Sequence, residues 1–554
     1  MKSLLVLLFI IFSFSIIYAQ ELNNNQLDSL YNEFLHIRNY PTAANNLTTL
    51  STDTTNIKCA FGIVNQIKIN FNLFSPKKKV ILKTLLSRPT TDTSFVTPNG
   101  FFRVHYNISG SDVPKYNLDS LGIALDSAYN FEINFLGYPP PPPDNGNGGD
   151  DKYDIYIVNL GNTYGYTEIE DEVVPGSSRY TSYMVIDNDF SGFYTTGINA
   201  ARVTVAHEFH HSIQVGNYIY RYDLDEFFYE LTSTSMEHFV YKTIPDYFQY
   251  LPSYFNNTQN SLGQNGSSSE YALAIWNIFL KDNFGYDIIK KQWQLMPQMR
   301  ALQAIANSLA DYNTSLGEEL NTFGIWAYFT NYRAVPNQYF SSAANYPAIR
   351  PVTTLQYSPP SKTVQLTTQP VSNSFIQFVN SANRDTLVSL ITNADLSKGV
   401  DSTNAVVPFE YSLFSQSQAG AVKLTNDYYQ KLTVDKPAFW LNGVFLNNQI
   451  LEVGKYVAEN IDYPFPSPFY YKKNAYLYIP AQPDALGYAD LNIYSPSMKL
   501  VFSAHEHVVY ISGQKVIRWD GLDKNNSKLA SGVYLFVTKS GDNIAKGKLV
   551  IFNE

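Results

Sequence analysis

The chain has 554 residues, a formal net charge of −9 and 45% apolar residues. This length exceeds that of one hydrophobic core, so we expect about three to four domains. The acidic balance, with no basic face, excludes the electrostatic footprint of a nucleic-acid-binding protein, and we expect no nucleic-acid partner.

The N-terminus has the pattern of a secretory signal. Lys2 provides a positive charge, residues 4–17 form an apolar run, and Ala19 is a small residue suited to cleavage. We therefore expect a signal peptide at residues 1–19 and an exported protein. The run is short for a membrane span of about 20 residues. No other stretch approaches that length, so we expect no transmembrane span in the mature chain.

Residues 20–96 have the position of a prosegment. Residues 26–37 carry apolar side chains at helical spacing. The sequence contains a single cysteine, Cys59, which excludes internal disulfides. Two interpretations of Cys59 stay open. It can lend a thiolate to a metal and keep a secreted zinc peptidase latent, or it can pack as a small apolar residue. The residue type favours the second.

Residues 97–345 are predicted to form one α+β domain. The β-rich segments are 101–106, 153–159 and 183–187. The segments with helical spacing are 117–136, 199–216 with Gly216 as C-cap, 227–241 and 270–284. Strands followed by helices predict a twisted sheet lying on active-site helices, the arrangement of a zincin-like catalytic domain.

A proline run and an acidic loop interrupt this domain. Residues 139–143 are all proline and predict a stiff polyproline II segment. The loop 144–151 resembles a calcium loop, but Gly146 and Gly148 stand where the EF-hand pattern requires oxygen ligands. A Ca²⁺ site is therefore the weaker expectation, and a solvated turn is the stronger one.

The helical period disappears after about residue 350. Short alternating segments separated by Ser, Asn, Gly and Pro predict a β-sandwich at residues 350–473 and a second β unit at residues 474–554.

The chemistry centres on the sequence 207–211, which reads H-E-x-x-H. On a helix this spacing puts His207 and His211 on one face, close enough to bind one metal ion. Glu208 then projects beside the metal, where a general base must lie to take a proton from an attacking water. The alternative is a chance match, because the motif is short.

A catalytic zinc requires three protein ligands and one open position. The continuation G-x-x-H or G-x-x-D is disfavoured, because Gln214 and Asn217 stand at those positions. Another continuation places a glutamate on the next helix, where Glu230 lies. We predict that Glu230 and the two histidines bind one catalytic Zn²⁺. Glu237 is the rival ligand, expected behind the ligands or on the surface. Weaker rivals are the acidic residues before that helix: Asp223, Asp225 and Glu226.

Catalysis also requires a donor for the oxyanion. Tyr271, at the start of the third helix, is the candidate beside Glu208, and core packing is the alternative. His210 lacks ligand spacing and is interpreted as a flanking polar residue. Ordinary surface positions are expected for the remaining histidines of interest: His238, His505 and His507.

The motif with its downstream glutamate resembles the gluzincin zinc metallopeptidases. More narrowly, residues 97–300 are similar to a family of uncharacterised secreted bacterial metalloproteases. The similar segments are 98–106, 136–144, 152–167, 207–214 and 227–241. The resemblance implies zinc ligation by His207, His211 and Glu230, with Glu208 as general base. Leu231 departs from the pattern, since such families often have a small residue there.

The end of the chain has a resemblance of its own. Residues 519–521, 529–536 and 546–551 resemble the Ig-like C-terminal sorting domains of the type IX secretion system, and they are also similar to the Ig-like domain of flagellar hook-capping proteins. The first resemblance implies that the bacterial export machinery is a partner of this domain. It also implies a secreted or outer-surface location, with the domain removed or used as an anchor.

These patterns support three hypotheses. The first is a secreted zinc metalloendopeptidase acting on proteins or peptides. The second is a cell-surface binding or adhesion protein with an inactive peptidase-like domain, and the third is a zinc amidohydrolase acting on glycopeptides. The intact Glu208 favours an active hydrolase, because a decayed site usually loses its base or a ligand.

Overall fold

A computed structural model provides the structure of the protein. It describes residues 22–38, 40, 56–265, 268–357, 369–380, 464–484, 487–511, 514–541 and 543–553, and the backbone of strands at 385–390, 409–415, 421–425, 429–434 and 438–445. The predicted signal peptide and much of the predicted β-sandwich at 350–473 lie outside the described residues.

The described part of the chain up to residue 350 mixes helices with a single sheet. Its strands are β1 (Ile57–Cys59), β2 (Thr93–Val96), β3 (Phe102–Tyr106), β4 (Tyr153–Val158), β5 (Thr163–Glu172) and β6 (Tyr180–Asp187). Its helices are α1 (Asn24–Ile37), α2 (Phe61–Ile69), α3 (Pro76–Leu85), α4 (Leu118–Tyr129), α5 (Gly197–Asn217), α6 (Tyr222–Val240), α7 (Leu251–Phe255), α8 (Ser269–Ala272), α9 (Ala274–Phe284), α10 (Asp287–Leu295), α11 (Ala301–Ala310) and α12 (Leu316–Tyr328).

The six strands form one sheet in the order β1-β5-β6-β4-β3-β2. Strands β3, β4 and β6 run parallel to one another, whereas β5 is antiparallel to β6. The short strand β1 extends the sheet beyond β5 and runs parallel to it, with Ile57 opposite Thr163 and Cys59 opposite Gly165. The N-terminal region therefore supplies both edge strands of the central sheet, β1 and β2.

Both faces of this sheet are covered. Along β6 the side chains alternate, as the pleat of a strand requires. Met184 and Ile186 belong to the core that includes α4, α5 and α6. Tyr183 and Val185 belong to a second core, shared with α1, α2 and α3. The N-terminal helices thus form a layer against the face of the sheet opposite the motif helix.

Several sequence-based boundaries were wrong. The segment of helix α6 begins at Tyr222, but the non-helical Asp225 interrupts it, so the unbroken helix starts at Glu226, one residue before the predicted start at 227. The predicted helix 270–284 is divided into α8 and α9. Gly216 does not cap α5, which continues to Asn217. It is a close-approach position instead, because a Cβ there would lie 2.4 Å from Pro142 Cδ.

The described elements after residue 350 are all strands. One sheet has the order β11-β10-β13-β8-β7, a pair joins β12 to β9, and a seven-stranded sheet has the order β14-β20-β19-β16-β17-β18-β15. Their bounds are β7 (Thr353–Tyr357), β8 (Asn373–Asn380), β9 (Asp385–Leu390), β10 (Phe409–Ser415), β11 (Ala421–Thr425), β12 (Tyr429–Val434), β13 (Ala438–Phe445), β14 (Phe469–Tyr470), β15 (Leu477–Pro480), β16 (Tyr488–Tyr494), β17 (Leu500–Ile511), β18 (Gln514–Trp519), β19 (Gly532–Ser540) and β20 (Asn543–Phe552).

The seven-stranded sheet has its own core, with Leu491, Ile493, Phe536 and Leu549 fully buried. The described chain is therefore mixed α+β, as predicted, with β structure towards its C-terminus. None of the described helices combines the length and apolar character needed to cross a membrane.

Candidate metal centre

The H-E-x-x-H motif lies in the buried half of α5. Every residue from Val203 to Gly216 is buried, because the sheet covers one side of this helix and α6 packs against another. His207 and His211 lie one turn apart, and their Nε2 atoms are 3.1 Å from each other. The helical spacing thus brings the two imidazoles together, as the sequence predicts.

Glu230 of α6 reaches the same point. Its Oε2 lies 3.2 Å from His207 Nε2 and 3.6 Å from His211 Nε2. Cys59 of β1 also joins the group, since donor atoms of all four side chains lie within 4.8 Å of one another and all four residues are buried. Within the described residues, these two histidines, one cysteine and one glutamate have the spacing of metal ligands.

Neighbouring side chains fix the orientation of both imidazoles. His207 Nδ1 lies 2.8 Å from Glu237 Oε1, and His211 Nδ1 lies 2.7 Å from Gln214 Oε1. These oxygens only accept hydrogen bonds, so each Nδ1 carries a proton. Histidines that bind a metal commonly donate their other N–H in this way. Glu237 is therefore buried behind His207 rather than exposed.

The Nε2 atoms of His207 and His211 and the Glu230 Oε2 atom converge on one point, so a positively charged species must lie between them. A proton is one such species. Burial opposes charge on His207, but hydrogen bonds with Glu230 and Glu237 raise its pKa to about 9. Burial likewise raises the pKa of Glu230, but His211 and His207 outweigh it and lower that pKa to about 2.

A divalent cation is the other such species. Nitrogen and oxygen ligands of a tetrahedral zinc lie about 2.0–2.1 Å from the ion, which places them about 3.3–3.4 Å from one another. The separations observed here are 3.1, 3.2 and 3.6 Å. Two imidazoles, a carboxylate and a thiol are also the ligand types that zinc prefers. The residues present therefore fit zinc.

Cys59 is buried, as both interpretations of it predict, but its sulfur faces the cluster. The backbone N–H of Phe61 donates to Cys59 Sγ at 3.4 Å. Burial, and then the negative charges of Glu208 and Glu230, raise the pKa of the Cys59 thiol well above its ordinary value. Sequence reasoning favoured simple packing, because nothing in the chain near Cys59 indicates that it lies beside the motif.

Glu208 is held next to this cluster by β5. Thr167 Oγ1 lies 3.0 Å from Glu208 Oε2 and 2.7 Å from the Glu208 carbonyl oxygen. In the described part of the chain, Glu208 Oε1 is buried and has no hydrogen-bond partner. Gly165 permits the close packing, since a Cβ there would lie 2.9 Å from Thr204 Cγ2 and 3.5 Å from Glu208 Cγ. No sequence pattern around Thr167 or Gly165 indicates these roles.

Two tyrosines border the centre. Tyr222 Oη donates to Glu230 Oε1 at 2.8 Å, so the carboxylate oxygen that does not face the histidines is also held. Tyr271, the predicted oxyanion donor, is half-buried, and its ring centroid lies 6.3 Å from that of His207. Burial, and then Glu230 and Cys59, raise the pKa of Tyr271 well above its ordinary value, so it retains its proton. Tyr222 was not singled out from the sequence.

His210 points away from the cluster into the core. Its Nδ1 lies 2.8 Å from Glu132 Oε2, and both residues are fully buried. Burial raises the pKa of Glu132 and lowers the pKa of His210, each well beyond its ordinary value. The pair is therefore neutral. The prediction of a surface position for His238 was wrong, because it is buried beside Tyr247.

Arginine side chains bind the rival ligand Asp225 and two aspartates of the loop 144–151. Asp225 accepts hydrogen bonds from Arg221 and Arg300, each at 2.8 Å. In the loop 144–151, where a solvated turn was the stronger expectation and a Ca²⁺ site the weaker one, Asp144 pairs with Arg88 at 2.5 Å and Asp150 pairs with Arg103 at 2.6 Å. Guanidinium groups thus hold these loop carboxylates in the positions described.

Comparison with known proteins associates the central part of the chain with one family. Residues 109–302 match a family of unknown function (DUF6055). This match contains the motif helix, α6 and Tyr271, but it begins after Cys59. A comparison with curated proteins found no match.

Solved structures show likeness over small parts of the chain. One is PorZ, described as an essential bacterial surface component of the type IX secretion system of Porphyromonas gingivalis, with 16% identity over 20% of this chain and 14% of that chain and a TM-score of 0.14. Another is dimeric latent PorU from Porphyromonas gingivalis, with 15% identity over 31% of this chain and 18% of that chain and a TM-score of 0.15. The chain therefore spans less than a fifth of the length of either structure.

Proposed function

We propose that the chain is a secreted zinc-dependent endopeptidase of the gluzincin type, with a zincin-like catalytic domain and protein or peptide substrates. The observation that supports this most is the placement of Glu208. It is a buried carboxylate with one oxygen that has no partner among the described residues, next to the converging donor atoms of His207, His211 and Glu230. A ligand set of this type beside a free carboxylate is what hydrolysis by activated water requires.

Zinc, when bound, supplies Lewis acidity that polarises a peptide carbonyl and makes water more acidic. Glu208 takes the proton of the attacking water on Oε1 and gives it to the leaving amine. Thr167 binds Oε2, which leaves Oε1 available for that proton. Tyr222 holds Glu230 in place, and Tyr271 donates a hydrogen bond to the oxyanion.

The test measures zinc content and casein hydrolysis, with and without a chelator, for the wild type, Glu208→Gln and the exposed control Glu33→Gln. Each protein is assayed with Cys59 intact and as Cys59→Ser, because Cys59 lies in the cluster. We expect one zinc per chain throughout. In the Cys59→Ser background we expect a loss of about 10²–10⁴-fold in hydrolysis for Glu208→Gln and no loss for Glu33→Gln. Zinc-loaded protein that cleaves no substrate in either background would overturn the peptidase assignment.

The ligand assignment has a separate test. Glu230→Ala should abolish zinc binding under conditions in which Glu237→Ala only weakens it, because Glu230 faces both imidazoles and Glu237 contacts the far side of one. The opposite order of zinc loss would exchange the two roles.

A second candidate function is a binding or adhesion protein whose zinc is structural. The observation that favours it is the burial of four ligand side chains, since a site closed by four protein ligands is typical of structural zinc. The hydrolysis assay in the Cys59→Ser background separates the two candidates. The third hypothesis, a glycopeptide amidohydrolase, shares the metal site and differs in substrate.

We further propose that residues 474–554 direct the protein to the bacterial outer surface through the type IX export machinery. The support is the resemblance of residues 519–521, 529–536 and 546–551 to sorting domains, together with the separate core of the seven-stranded sheet. A chain that lacks residues 474–554 should remain inside the producing cell, as detected by fractionation. Normal export of this shortened chain would contradict the proposal.

A further inference from the structure

A short segment from the N-terminal region covers the candidate metal centre. We call residues 57–61 the plug. The Phe61 ring stacks on the His211 ring, with centroids 4.1 Å apart and an interplanar angle of 4°. Cys59 lies between Lys58 and Phe61 in the sequence. Its sulfur lies within 4.8 Å of the donor atoms of the other three cluster residues.

Lys58 fixes the plug from the other side. Its Nζ lies 3.0 Å from Glu237 Oε2 and 2.5 Å from Asp246 Oδ2, and all three side chains are buried. Glu237 is also the acceptor of the His207 Nδ1 proton. The residue before Cys59 is therefore anchored to the same carboxylate that orients a histidine of the site.

The backbone of the plug occupies the outer edge of β5. Ile57 N donates to Asn162 O at 2.7 Å, and Ala60 N donates to Gly165 O at 3.0 Å. Asn65 of α2 continues the pairing, since its amide donates to Thr167 O and accepts from Ile169 N. An exposed strand edge is where an extended peptide adds by backbone hydrogen bonds. In this structure the plug already pairs with the edge of β5 that lies beside Glu208.

We propose that the Cys59 thiolate is a fourth protein ligand of the zinc and that the plug closes the site, so that the folded chain is latent. This inference rests on the proposed zinc site. A zinc with four protein ligands has no open position for water. The plug also occupies the strand edge that a substrate would use. Ligation releases the thiol proton to solvent, as metal binding by a cysteine requires, and the Phe61 N–H supports the negative sulfur.

Substitution with cobalt detects the proposed bond between the Cys59 thiolate and the metal. Co²⁺ replaces zinc in such sites, and a cobalt–thiolate bond gives charge-transfer absorption in the near ultraviolet that imidazole and carboxylate ligands do not give. The sequence has a single cysteine, so any such band belongs to Cys59. The experiment titrates purified metal-free chain with Co²⁺ for the wild type, Cys59→Ser and Cys59→Ala, with bound cobalt counted by elemental analysis.

We expect one cobalt in all three proteins, with the thiolate band in the wild type alone. One cobalt with no band in the wild type would overturn the Cys59 inference and leave the proposed function standing. Absence of bound cobalt from all three proteins would overturn the metal site itself. With zinc restored, the double variant Lys58→Met/Cys59→Ser, which removes both the metal bond and the ion pairs of the plug, should hydrolyse peptides at least about tenfold faster than the wild type, and equal rates would overturn the latency.

Discussion

At the scale of single residues, Glu237 connects the candidate metal centre to the N-terminal region. One carboxylate oxygen accepts from His207 and the other contacts the buried Lys58. Burial lowers the pKa of Lys58, but Asp246 and Glu237 outweigh it and hold that pKa well above its ordinary value. The Glu237 side chain thus contacts both the His207 imidazole and Lys58 of the plug.

Glu237→Gln should therefore weaken zinc binding by about 10–100-fold, the usual effect of losing a partner behind a metal ligand. It removes the charge that pairs with both Lys58 and the proton of His207. Competition with a chromogenic chelator measures the affinity, and the exposed substitution Glu33→Gln is the control. Unchanged affinity in Glu237→Gln would show that the contact to His207 does not tune the site.

Gly165 sets how closely β5 approaches the motif helix. A Cβ at this position would lie 2.8 Å from the backbone oxygen of Val185 and 2.9 Å from Thr204 Cγ2, and the backbone cannot yield cheaply. Gly165→Ala should lower the free energy of unfolding by about 1–3 kcal/mol, as overpacking does. Denaturant titration measures this, with Gly532→Ala as control, since its Cβ would meet nothing nearer than 3.8 Å. Equal effects of the two substitutions would contradict the argument.

The sequence predicted the residues whose positions follow from local spacing. His207 and His211 share a face because they lie one turn apart, and Glu230 follows on the next helix, so the structure brings them together as expected. Cys59 reaches the cluster through the pairing of β1 with β5, which is not local. A strand of three residues has no alternation to recognise. Its position could not be predicted from spacing.

At the scale of elements, α2 is attached to β5 through one amide side chain. Asn65 is fully buried and satisfies both Thr167 O and Ile169 N of that strand. Asn65→Ala leaves two buried backbone groups without partners, so we expect a loss of about 2–4 kcal/mol in the free energy of unfolding. Hydrogen exchange at Ile169 should also accelerate. The control is Asn70→Ala, whose side-chain amide donates to Gln66 within the same helix turn.

His238 on helix α6 should make the folded protein less stable at acidic pH. Burial, and then Lys242, lower the pKa of His238 to about 4 from its ordinary value of 6.5. Between pH 4 and pH 6.5, His238 binds more protons in the unfolded chain than in the folded chain. Its contribution to the free energy of unfolding is therefore fully present above pH 6.5 and is lost as the pH falls towards 4.

His238→Phe keeps the ring that packs on Tyr247 and removes the titration. The variant should lose less stability than the wild type between pH 6.5 and pH 4, by up to about 3 kcal/mol. Urea unfolding at a series of pH values measures the difference. His505→Phe, at an exposed position, should leave the pH dependence of this transition unchanged. Parallel pH curves for the wild type and His238→Phe would refute the prediction.

Element boundaries were harder to predict than the motif. The acidic residues from Asp223 to Glu226 resemble a capping turn in sequence, and the non-helical Asp225 separates a first turn, which starts at Tyr222, from the rest of α6. The sequence did not predict that first turn, in which Arg221 and Arg300 both bind the Asp225 side chain. Strand β5 was not predicted from the sequence. It is buried over most of its length, so it lacks the polar alternation of a half-exposed strand.

At the scale of the whole molecule, the two cores around the central sheet and the core of the C-terminal sheet are separate clusters. A chain of this kind does not unfold in one step. The proposed zinc ligands belong to α5, α6 and β1. If they bind zinc, the metal stabilises the central part and not the C-terminal sheet.

Removal of zinc by a chelator should therefore lower the melting temperature of one calorimetric transition and leave another unchanged. A ligand present at about 1,000 times its dissociation constant contributes about 4 kcal/mol. Glu230→Gln should show little further shift on chelation. An equal shift of every transition, or a full shift in Glu230→Gln, would place the metal elsewhere.

The fold class could be predicted because it depends on the order of strand and helix patterns along the chain. The arrangement of the N-terminal region could not. Residues 26–37 indicate a helix, which the structure contains, but no local pattern states that α1, α2 and α3 share a core with Tyr183 and Val185 of β6. That packing depends on which face of the sheet the chain returns to.

The pairing of β1 with β5 also has a consequence for timing during synthesis. The ribosome makes Ile57 long before its partner Thr163, and the histidines of α5 emerge later still. Under the proposed latency, the plug is already present when the last metal ligand appears. No period then exists in which the producing cell holds a folded, open peptidase. A cell that made the segments in the reverse order would lack this protection.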